Sequence, residues 1–514
     1  MLRKIRIVLA AVMFIGITLL FLDFTGTMYH LVGWMPKIQL LEAVLALNIV
    51  VIVALVLLTL VFGRIYCSVI CPLGIMQDIF GWLGKKQKKN RYTYSKEVKW
   101  LRYPVLVLFI IALVAGIGML FQLLAPYSAY GRIVTYLLQP LWVAGNNVLA
   151  SIAEHFDSYA FYHVSKEIPK YYLVTIIAVL SWAIVAGLAW NYGRTYCNTI
   201  CPVGTVLSFL SRFSWLKIHF DVEKCKNCSL CTKNCKASCI DFKTHTVDYS
   251  RCVVCGDCIE SCKFGALKWG HQQTHPQPLP VREGSDYSQE QGHTTPLPHR
   301  EGQGVGPSRR SFLLSSALLT TAALAQKKDK IMDGGLAEIA DKVAPERQTP
   351  LTPPGSKSMS NFAQHCTGCQ LCISECPNNV LRPSSDLLHF MLPTMSYELG
   401  YCRPECNRCS EVCPAGAILP IKAEDKASTQ MGHAVWIKKN CVVLTDEVEC
   451  GNCARHCPVG AIEMVPSDPD NDESPYVPAV NEARCIGCGA CEYLCPARPH
   501  SAIYVEGHEV HKEL

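Results

Sequence analysis

The sequence predicts an α-helical membrane bundle in its first 215 residues and small α+β domains, built on cysteine groups, after them. Half of the 514 residues are hydrophobic and only 18% are charged, which favours membrane segments. Uncharged stretches long enough to cross a hydrocarbon layer of ~30 Å occur before residue 193. Nearly all of the 29 cysteines fall in tight groups of four with the spacing of metal ligands, which a disulfide framework does not require.

Four uncharged stretches predict membrane spans, because an α-helix rises ~1.5 Å per residue and crosses the layer in ~20 residues. A further stretch, residues 133–153, is uncharged but contains Gln139, Asn146 and Asn147, so we expect a surface or re-entrant helix there. The predicted spans are residues 7–22, 43–62, 105–125 and 171–192.

The charges of the loops predict the orientation of these spans. The connection 63–102 holds nine Lys and Arg, whereas the connection 126–170 holds three. Lys and Arg accumulate in cytoplasmic loops. We therefore expect the N-terminus, the connection 63–102 and the residues just after 192 in the cytoplasm.

A motif is repeated after two of the predicted spans. GRIYCSVICPLG at residues 63–74 returns as GRTYCNTICPVG at residues 193–204. Cysteines four apart share one face of a helix, but helical Cβ separations of ~5–6 Å exceed the ~3.5–4.5 Å of a disulfide. Brought together, the two motifs would hold a metal or cluster or act as a thiol relay; alone, they would only pack. Their thiols belong to Cys67, Cys71, Cys197 and Cys201.

Two cysteine groups follow with the C-x2-C-x2-C-x3-C spacing of [4Fe-4S] ligands in bacterial-type ferredoxins. In such pairs the fourth cysteine of each group binds the cluster of the other group. Lys236 and Lys263 stand where this pattern has proline, and Cys239 is an extra cysteine that we expect either to be a small buried residue or to replace Cys235. The predicted ligand sets are Cys225, Cys228, Cys231 and Cys262 for one cluster, and Cys252, Cys255, Cys258 and Cys235 for the other.

Four more cysteine groups lie in the last 150 residues, and each ends in Cys-Pro. The first gap is widened to three residues in the second group and to eight in the third, which favours pairing the first group with the fourth and the second with the third; adjacent pairing stays open. Zinc is the alternative, although zinc sites join two C-x2-C pairs across a longer gap. The groups are Cys366, Cys369, Cys372, Cys376; Cys402, Cys406, Cys409, Cys413; Cys441, Cys450, Cys453, Cys457; and Cys485, Cys488, Cys491, Cys495. Together the sequence predicts six [4Fe-4S] clusters.

A linker and an export-signal-like segment separate the two cysteine-rich parts of the chain. Residues 271–307 are rich in Pro, Gly, His and Gln and predict a disordered linker. Residues 308–326 read as a twin-arginine export signal, with Arg309 and Arg310 before an apolar run that ends in Ala-Leu-Ala at residues 323–325. This segment would be cleaved after Ala325, or retained as a fifth span; a chance Arg-Arg pair before a buried helix in a wholly cytoplasmic protein is the alternative.

The net charge of the chain changes sign after residue 325, from positive to negative. Residues 1–325 hold 31 Lys and Arg against 17 Asp and Glu, whereas residues 326–514 hold 17 against 25. Two compartments, or an acidic docking face, would produce this split. Twin-arginine export moves folded cargo, which suits cysteine groups that must be filled with clusters in the reducing cytoplasm.

Several chemistries are not indicated by the sequence. It contains no C-x-x-C-H for a c-type haem, no histidine in the four predicted spans for a paired b haem, and neither a Walker A sequence nor G-x-G-x-x-G. We therefore predict no haem, no nucleotide cofactor and no nucleic-acid partner.

These motifs resemble two proteins of periplasmic nitrate reduction. Residues 1–270 resemble the NapH-type membrane ferredoxin, also MauN-like, with four spans, two C-x3-C-P motifs and two cytoplasmic [4Fe-4S] motifs. Residues 308–514 resemble its NapG-type partner, also MauM-like, a twin-arginine exported polyferredoxin with four [4Fe-4S] motifs. The resemblance implies a fusion with domains at 1–215 (membrane bundle), 216–270 (two-cluster ferredoxin), 271–307 (linker), 308–326 (signal or anchor) and 327–514 (four-cluster polyferredoxin).

The resemblance implies a quinol dehydrogenase-like component of the bacterial inner membrane, with no terminal-substrate site of its own. Electrons would pass from the membrane quinone pool to a periplasmic reductase or c-type cytochrome, after the twin-arginine machinery has exported the polyferredoxin. A maturation or redox-sensing factor for a respiratory or quinone-cofactor enzyme is the second hypothesis. In either case the sequence shows no route for electrons between the cytoplasmic and the exported clusters.

Overall fold

The computed structural model describes residues 2–87, 92–158, 161–164, 172–271, 342–386, 388–471 and 473–513. The predicted linker at 271–307, apart from His271, lies outside the described residues. So do the twin-arginine segment at 308–326, with Arg309 and Arg310, and residues 327–341.

The described part of residues 2–211 is helical. Pro72 and Pro202 each begin a helix directly after the second cysteine of the repeated motif, where proline's missing N–H and fixed φ cost nothing. The helices are α1 (Leu2–Leu22), α2 (Met28–Val32), α3 (Trp34–Lys37), α4 (Leu40–Leu45), α5 (Ile49–Phe62), α6 (Tyr66–Val69), α7 (Pro72–Gln87), α8 (Lys99–Val114), α9 (Gly118–Leu124), α10 (Pro126–Ile133), α11 (Gln139–His155), α12 (Tyr172–Tyr192), α13 (Thr195–Thr199) and α14 (Pro202–Ser211), with a π-helical turn at Val134–Leu138.

The prediction of four long spans is wrong in number. In the described residues two helices are long and apolar enough to cross a membrane, Arg3–Leu22 and Tyr172–Tyr192. The stretch 43–62 breaks because Leu47 adopts a positive φ and the side chain of Asn48 caps the start of α5 by accepting from the Val51 amide. The stretch 105–125 breaks at Gly116, whose φ is +70°, between α8 and α9.

Residues 216–271 form a small α+β unit, as predicted for a ferredoxin domain. Its first strand, β1 (Leu216–Phe220), and its last, β4 (Leu267–His271), form an antiparallel pair. A hairpin of β2 (Ile240–Asp241) and β3 (Thr246–Val247) joins two short helices, α15 (Leu230–Asn234) and α16 (Asp257–Ser261), which pack on each other.

Residues 342–513 repeat this plan in more elaborate form. Two hairpins, β5 with β6 and β8 with β9, and one long pair, β7 with β10, are all antiparallel. The strands are β5 (Leu381–Pro383), β6 (Pro393–Met395), β7 (Thr429–Trp436), β8 (Ile462–Pro466), β9 (Tyr476–Val480) and β10 (Ile503–Glu513). The helices are α17 (Met359–His365), α18 (Leu371–Glu375), α19 (Arg408–Val412), α20 (Ala423–Ser428), α21 (Val442–Thr445), α22 (Asn452–Arg455) and α23 (Ala490–Tyr493), with a 3₁₀ turn at Lys438–Asn440.

The two cysteine-rich units pack at opposite ends of α1. Near its start, Arg3 forms an ion pair with Asp257, with 2.9 Å between Nε and Oδ1. Just beyond its end, the Thr25 carbonyl accepts a hydrogen bond of 2.6 Å from Arg408 Nη2. Since 21 residues of helix extend for about 30 Å, these two contacts lie about that far apart along α1.

Candidate iron–sulfur centres

The four regular cysteine motifs share one backbone conformation. In each of them the residues on both sides of the second cysteine have a positive φ: Asn227 and Ser229, Val254 and Gly256, Gly368 and Gln370, Gly487 and Gly489. Where residues of negative and positive φ alternate in this way, successive backbone N–H groups turn inward and form concavities that bind anions, iron–sulfur clusters among them. The loops are therefore shaped for a negatively charged group held by thiolates.

The first predicted ligand set lines a small cavity in the ferredoxin unit. Phe220 and Phe264 form part of the apolar wall of this cavity. The cysteines that line the cavity are Cys225, Cys228, Cys231 and Cys262. The amide of Ala266 donates to Cys262 Sγ at 3.3 Å, as expected for a thiolate. Four cysteines around one space fit a [4Fe-4S] cluster, and this site lies near the protein surface, since Cys228 is exposed.

The second predicted set also comes together. Cys258 interacts electrostatically with Cys252, Cys255 and Cys235. Cys239 is buried, and its Sγ lies 3.6 Å from that of Cys235. Their hydrogen bond lowers the pKa of Cys235 and raises that of Cys239, so Cys235 is the better thiolate ligand of the two.

In the C-terminal unit the first cysteine group lies beside the second. Cys413 interacts with Cys366, Cys369 and Cys372, while Cys376 interacts with Cys402 and Cys409. Helices α18 and α19, which carry the third cysteine of each group, pack together. The pairing of the first group with the fourth is therefore wrong in this structure.

The third group likewise pairs with the fourth. A small cavity is lined by Cys457 together with Cys485, Cys488 and Cys491, and Cys453 interacts with Cys450 and Cys495. The physical reason is local: the β5–β6 hairpin lies between the first two groups and β8–β9 between the last two, so each hairpin folds one group back onto its neighbour. In the described ranges no three His, Cys, Asp or Glu side chains converge closely enough for a single metal ion.

The repeated motifs bring four buried thiols together, a cluster that we call the four-thiol centre. Each thiol-bearing residue is 3–4% exposed, and Cys71 interacts with the other three: Cys67, Cys197 and Cys201. The expectation of a single helix carrying each pair is wrong. The helix ends between the two cysteines because the residue before proline disfavours the α conformation; Cys201, before Pro202, is extended with ψ 118°.

Two arginines cross between the motifs. Arg64 of the first copy donates to the Cys197 carbonyl at 3.2 Å, and Arg194 of the second copy donates to the Cys67 carbonyl. Arg64 Nη2 also lies 3.9 Å from Cys67 Sγ. Two buried guanidinium groups thus stand beside four thiols. Arg194 is paired with Asp78, whereas Arg64 has no carboxylate partner in the described residues, so its charge favours an anionic group among the thiols. The glycine-arginine start of both copies was the sequence signal for this contact.

The four-thiol centre lies between the two cysteine-rich units. Towards the ferredoxin unit, Arg64 donates to the Ser250 carbonyl at 2.9 Å, two residues before Cys252. Towards the C-terminal unit, Tyr66 interacts with Cys71 and with Glu42.

Further electrostatic interactions extend from Glu42 to the first C-terminal cysteine group. Tyr127 interacts with both Glu42 and Cys369, and it is as deeply buried as Glu42. The amide of Gln122 donates to the Cys366 carbonyl at 3.2 Å, and Ser128 Oγ donates to the Thr367 carbonyl at 2.5 Å. Sequence reasoning did not single out Tyr66, Glu42 or Tyr127, because only the fold brings them together.

Family profiles match the same regions. A 4Fe-4S binding domain matches residues 44–90 and 174–223, which contain the four-thiol centre. A second 4Fe-4S binding domain matches residues 245–268, and a 4Fe-4S dicluster domain matches residues 448–498.

A curated relative decides the family. The ferredoxin-type protein NapF of Escherichia coli strain K12 is 31% identical over 162 residues, which cover 31% of this chain and 87% of NapF. The chain belongs to the Nap-type ferredoxin family. As a member it is an iron–sulfur protein of electron transfer with [4Fe-4S]-binding domains.

Two further relatives extend the similarity. The ferredoxin-type protein NapG of the same strain is 27% identical over 179 residues, covering 32% of this chain and 75% of NapG. The putative electron transport protein YccM, also of that strain, is 24% identical over 241 residues, covering 45% of this chain and 60% of YccM. No solved structure matches.

Proposed function

We propose that this protein conducts electrons across a bacterial inner membrane, from membrane quinol to a redox partner on the far side. The observation that carries the proposal is the position of the four-thiol centre between two cysteine-rich units that pack at opposite ends of α1. The route runs from the cytoplasmic ferredoxin unit, through the four-thiol centre, to the exported clusters. A periplasmic reductase or c-type cytochrome then accepts the electrons.

The surface of the helical part supports a membrane location. Large apolar side chains face outward on several helices: Val8 on α1 is 62% exposed, Val50 on α5 is 79% exposed and Val114 on α8 is 83% exposed. A soluble protein rarely exposes contiguous apolar surface on this scale. Helices α5, α8 and α9 are shorter than a span, so we place them within the bundle around α1 and α12.

The predicted cysteine sets would hold the clusters. Exchange of the fourth cysteine between neighbouring groups gives six sets of four thiols, and the four-thiol centre adds a seventh site for an anionic redox group. When bound, [4Fe-4S] clusters accept and release one electron each. The chain buries some of these thiols, such as those of Cys252 and Cys366, and backbone amides such as that of Ala461, 3.2 Å from Cys457 Sγ, stabilise the thiolates.

The test uses the purified full-length chain in lipid nanodiscs, reduced with a soluble quinol analogue. Cluster absorbance is followed in the wild type and in a variant with all four residues of the four-thiol centre replaced by Ser. We expect complete bleaching in the wild type, and bleaching of about two clusters in six in the variant. Full reduction of the variant at the wild-type rate would remove the four-thiol centre from the route.

The same measurement separates electron transfer from maturation. A conduit must be reduced at a rate that matches turnover of a respiratory reductase, typically ~1–10³ per second. A maturation or sensing factor works stoichiometrically and does not need such a rate. Reduction over many minutes in the wild type would contradict the proposal.

A further inference from the structure

A large amphipathic cavity lies between the start of α1, helix α7 and the ferredoxin unit. Its volume is about 750 Å³, within the range of cofactor and small-molecule sites. Ile7, Ala11, Phe14, Ile79 and Trp82 form its apolar part. Several of these side chains are also exposed on the outer surface, so the apolar part adjoins the surface that we place in lipid.

The polar part of the cavity is a network of ion pairs centred on Asp78 and Asp257. Asp78 accepts from Arg6 at 2.9 Å and from Lys236 at 2.8 Å, and Lys236 also pairs with Asp257 at 3.3 Å. Arg194, which does not line the cavity, also pairs with Asp78 at 2.7 Å. Arg6 and Lys236 are each paired with a carboxylate, so the polar part of the cavity offers both a hydrogen-bond acceptor and donors to a hydroxyl headgroup. Lys85, which also lines the cavity, bonds the amide oxygen of Asn234 at 2.5 Å instead of a carboxylate.

A buried donor at the cavity is without a partner. Arg6 is 7% exposed, and no described residue accepts a hydrogen bond from its Nε. A buried donor without a partner costs about 1–3 kcal/mol, a cost that a ligand oxygen would remove. Arg6 lines the cavity, so such an oxygen would lie at its polar part.

The cavity also adjoins a predicted cluster. Lys236 follows Cys235 directly, and Asp257 lies between Cys255 and Cys258. This explains the departure from Cys-Pro at residue 236: a proline there could not supply the ammonium that joins Asp78 to Asp257.

We propose that this cavity binds the quinol, with its hydroxyl headgroup at Arg6 and Asp78 and its hydrocarbon tail along Ile7, Ala11 and Phe14. The inference rests on the proposed function and gives it a point of entry for electrons. Oxidation converts the quinol to a quinone, releasing two protons to water at the cavity mouth and two electrons, one at a time, to the cluster predicted on Cys252, Cys255, Cys258 and Cys235. Electron entry on this side gives the ferredoxin unit a role in the route.

The experiment measures binding and reduction separately on the full-length chain in nanodiscs. The binding probe is 2-heptyl-4-hydroxyquinoline N-oxide, a quinol analogue whose fluorescence is quenched when it binds. Ala11→Trp fills the apolar part of the cavity from an exposed position of α1. Val12→Trp is the matched control, since Val12 is 54% exposed on the same helix and does not line the cavity.

We expect the dissociation constant of the probe to rise at least tenfold in A11W and to stay within twofold in V12W, with unchanged cluster absorbance in both. Equal affinity in the two variants would overturn the cavity assignment. Displacement of the probe by phosphatidylglycerol, but not by a quinol analogue, would make the cavity a lipid site and overturn it too. Quinol reduction of A11W at the wild-type rate would reject the cavity as the quinol site and leave the proposed electron route intact. Loss of probe binding in A11W, with no quinol reduction of the wild type, would support the binding site and reject the proposed electron route.

Discussion

Arg64 donates a hydrogen bond to the main-chain oxygen of Cys197, at 3.2 Å, across the two copies of the repeated motif. Arg194 returns the contact to the main-chain oxygen of Cys67. Both arginines are fully buried. The two motifs are therefore held together by a reciprocal pair of cations, and the four-thiol centre depends on both.

Replacing Arg64 tests this dependence. Arg64→Met leaves the acceptors Asn198 Oδ1 and Cys197 O without this donor in a buried site, while Ser250 O keeps a hydrogen bond of 3.3 Å from Arg102 Nη2. We expect a loss of about 3 kcal/mol or more in the free energy of unfolding, because each buried unsatisfied group costs about 1–3 kcal/mol. Denaturant unfolding in detergent measures it. The control, Arg212→Met, changes a half-exposed side chain and should stay within about 0.5 kcal/mol; an equal loss in both variants would contradict the role of Arg64.

Two glycines make the same centre possible. A Cβ on Gly74 would lie 2.2 Å from the Cys67 carbonyl oxygen, and one on Gly204 would lie 2.5 Å from that of Cys197. We expect Gly74→Ala and Gly204→Ala each to lower the midpoint of thermal cluster bleaching. Gly187→Ala on α12 is the control: nothing lies within 4 Å of its Cβ, and helix propensity favours alanine by about 1 kcal/mol. A lower midpoint in the control alone would exclude this explanation.

Motif spacing located four cysteine loops that share one backbone conformation, whereas hydropathy predicted more spans than the described residues contain. The C-x2-C-x2-C spacing encodes a short local loop, so the cavity lined by Cys225 and Cys262 follows from it. A count of apolar residues does not predict that Asn48 caps the start of α5 or that Gly116 separates α8 from α9. Contacts such as that of Ser128 with Thr367 join segments over 200 residues apart, and they arise only from the packed fold.

The exchange of fourth cysteines can be tested by counting iron. In a chain that already carries Cys366→Ala and Cys369→Ala, we expect Cys413→Ala to remove no further iron, because Cys413 serves the site that is already lost. Cys376→Ala in the same background should remove about four more atoms, since it empties the site of Cys402, Cys406 and Cys409. Iron analysis of the purified chain gives the result. Loss of about four iron atoms with Cys413→Ala and of none with Cys376→Ala would show that each group binds its cluster with its own fourth cysteine.

Asp78 gives the polar network a dependence on pH. Arg194 and Lys236 beside it hold the pKa of its carboxyl well below the ordinary value, against the effect of burial. Its stabilisation is therefore present above the unfolded pKa of ~3.9 and is lost as the pH falls below it. Asp78→Asn leaves Arg194 without its carboxylate and should cost about 3–5 kcal/mol at pH 7. Glu398→Gln, at an ion pair whose carboxylate is 76% exposed, is the matched control and should cost less than 1 kcal/mol.

His511 gives the C-terminal unit a second response to pH, in a milder range. Burial, with a smaller contribution from His508, lowers the pKa of His511 to about 4, while its Nε2 bonds Thr352 Oγ1 at 2.8 Å. Because the unfolded pKa is near 6.5, the unfolded state binds the proton first, and stability falls as the pH drops from about 6.5 towards 4, by up to about 3 kcal/mol. Thermal bleaching of the full-length chain at pH 7.5 and pH 5 should show a larger drop in midpoint for the wild type than for His511→Gln, whose amide can keep the bond to Thr352 without titrating. An equal drop in both would place the acid sensitivity elsewhere, since only the histidine gains a charge in this range.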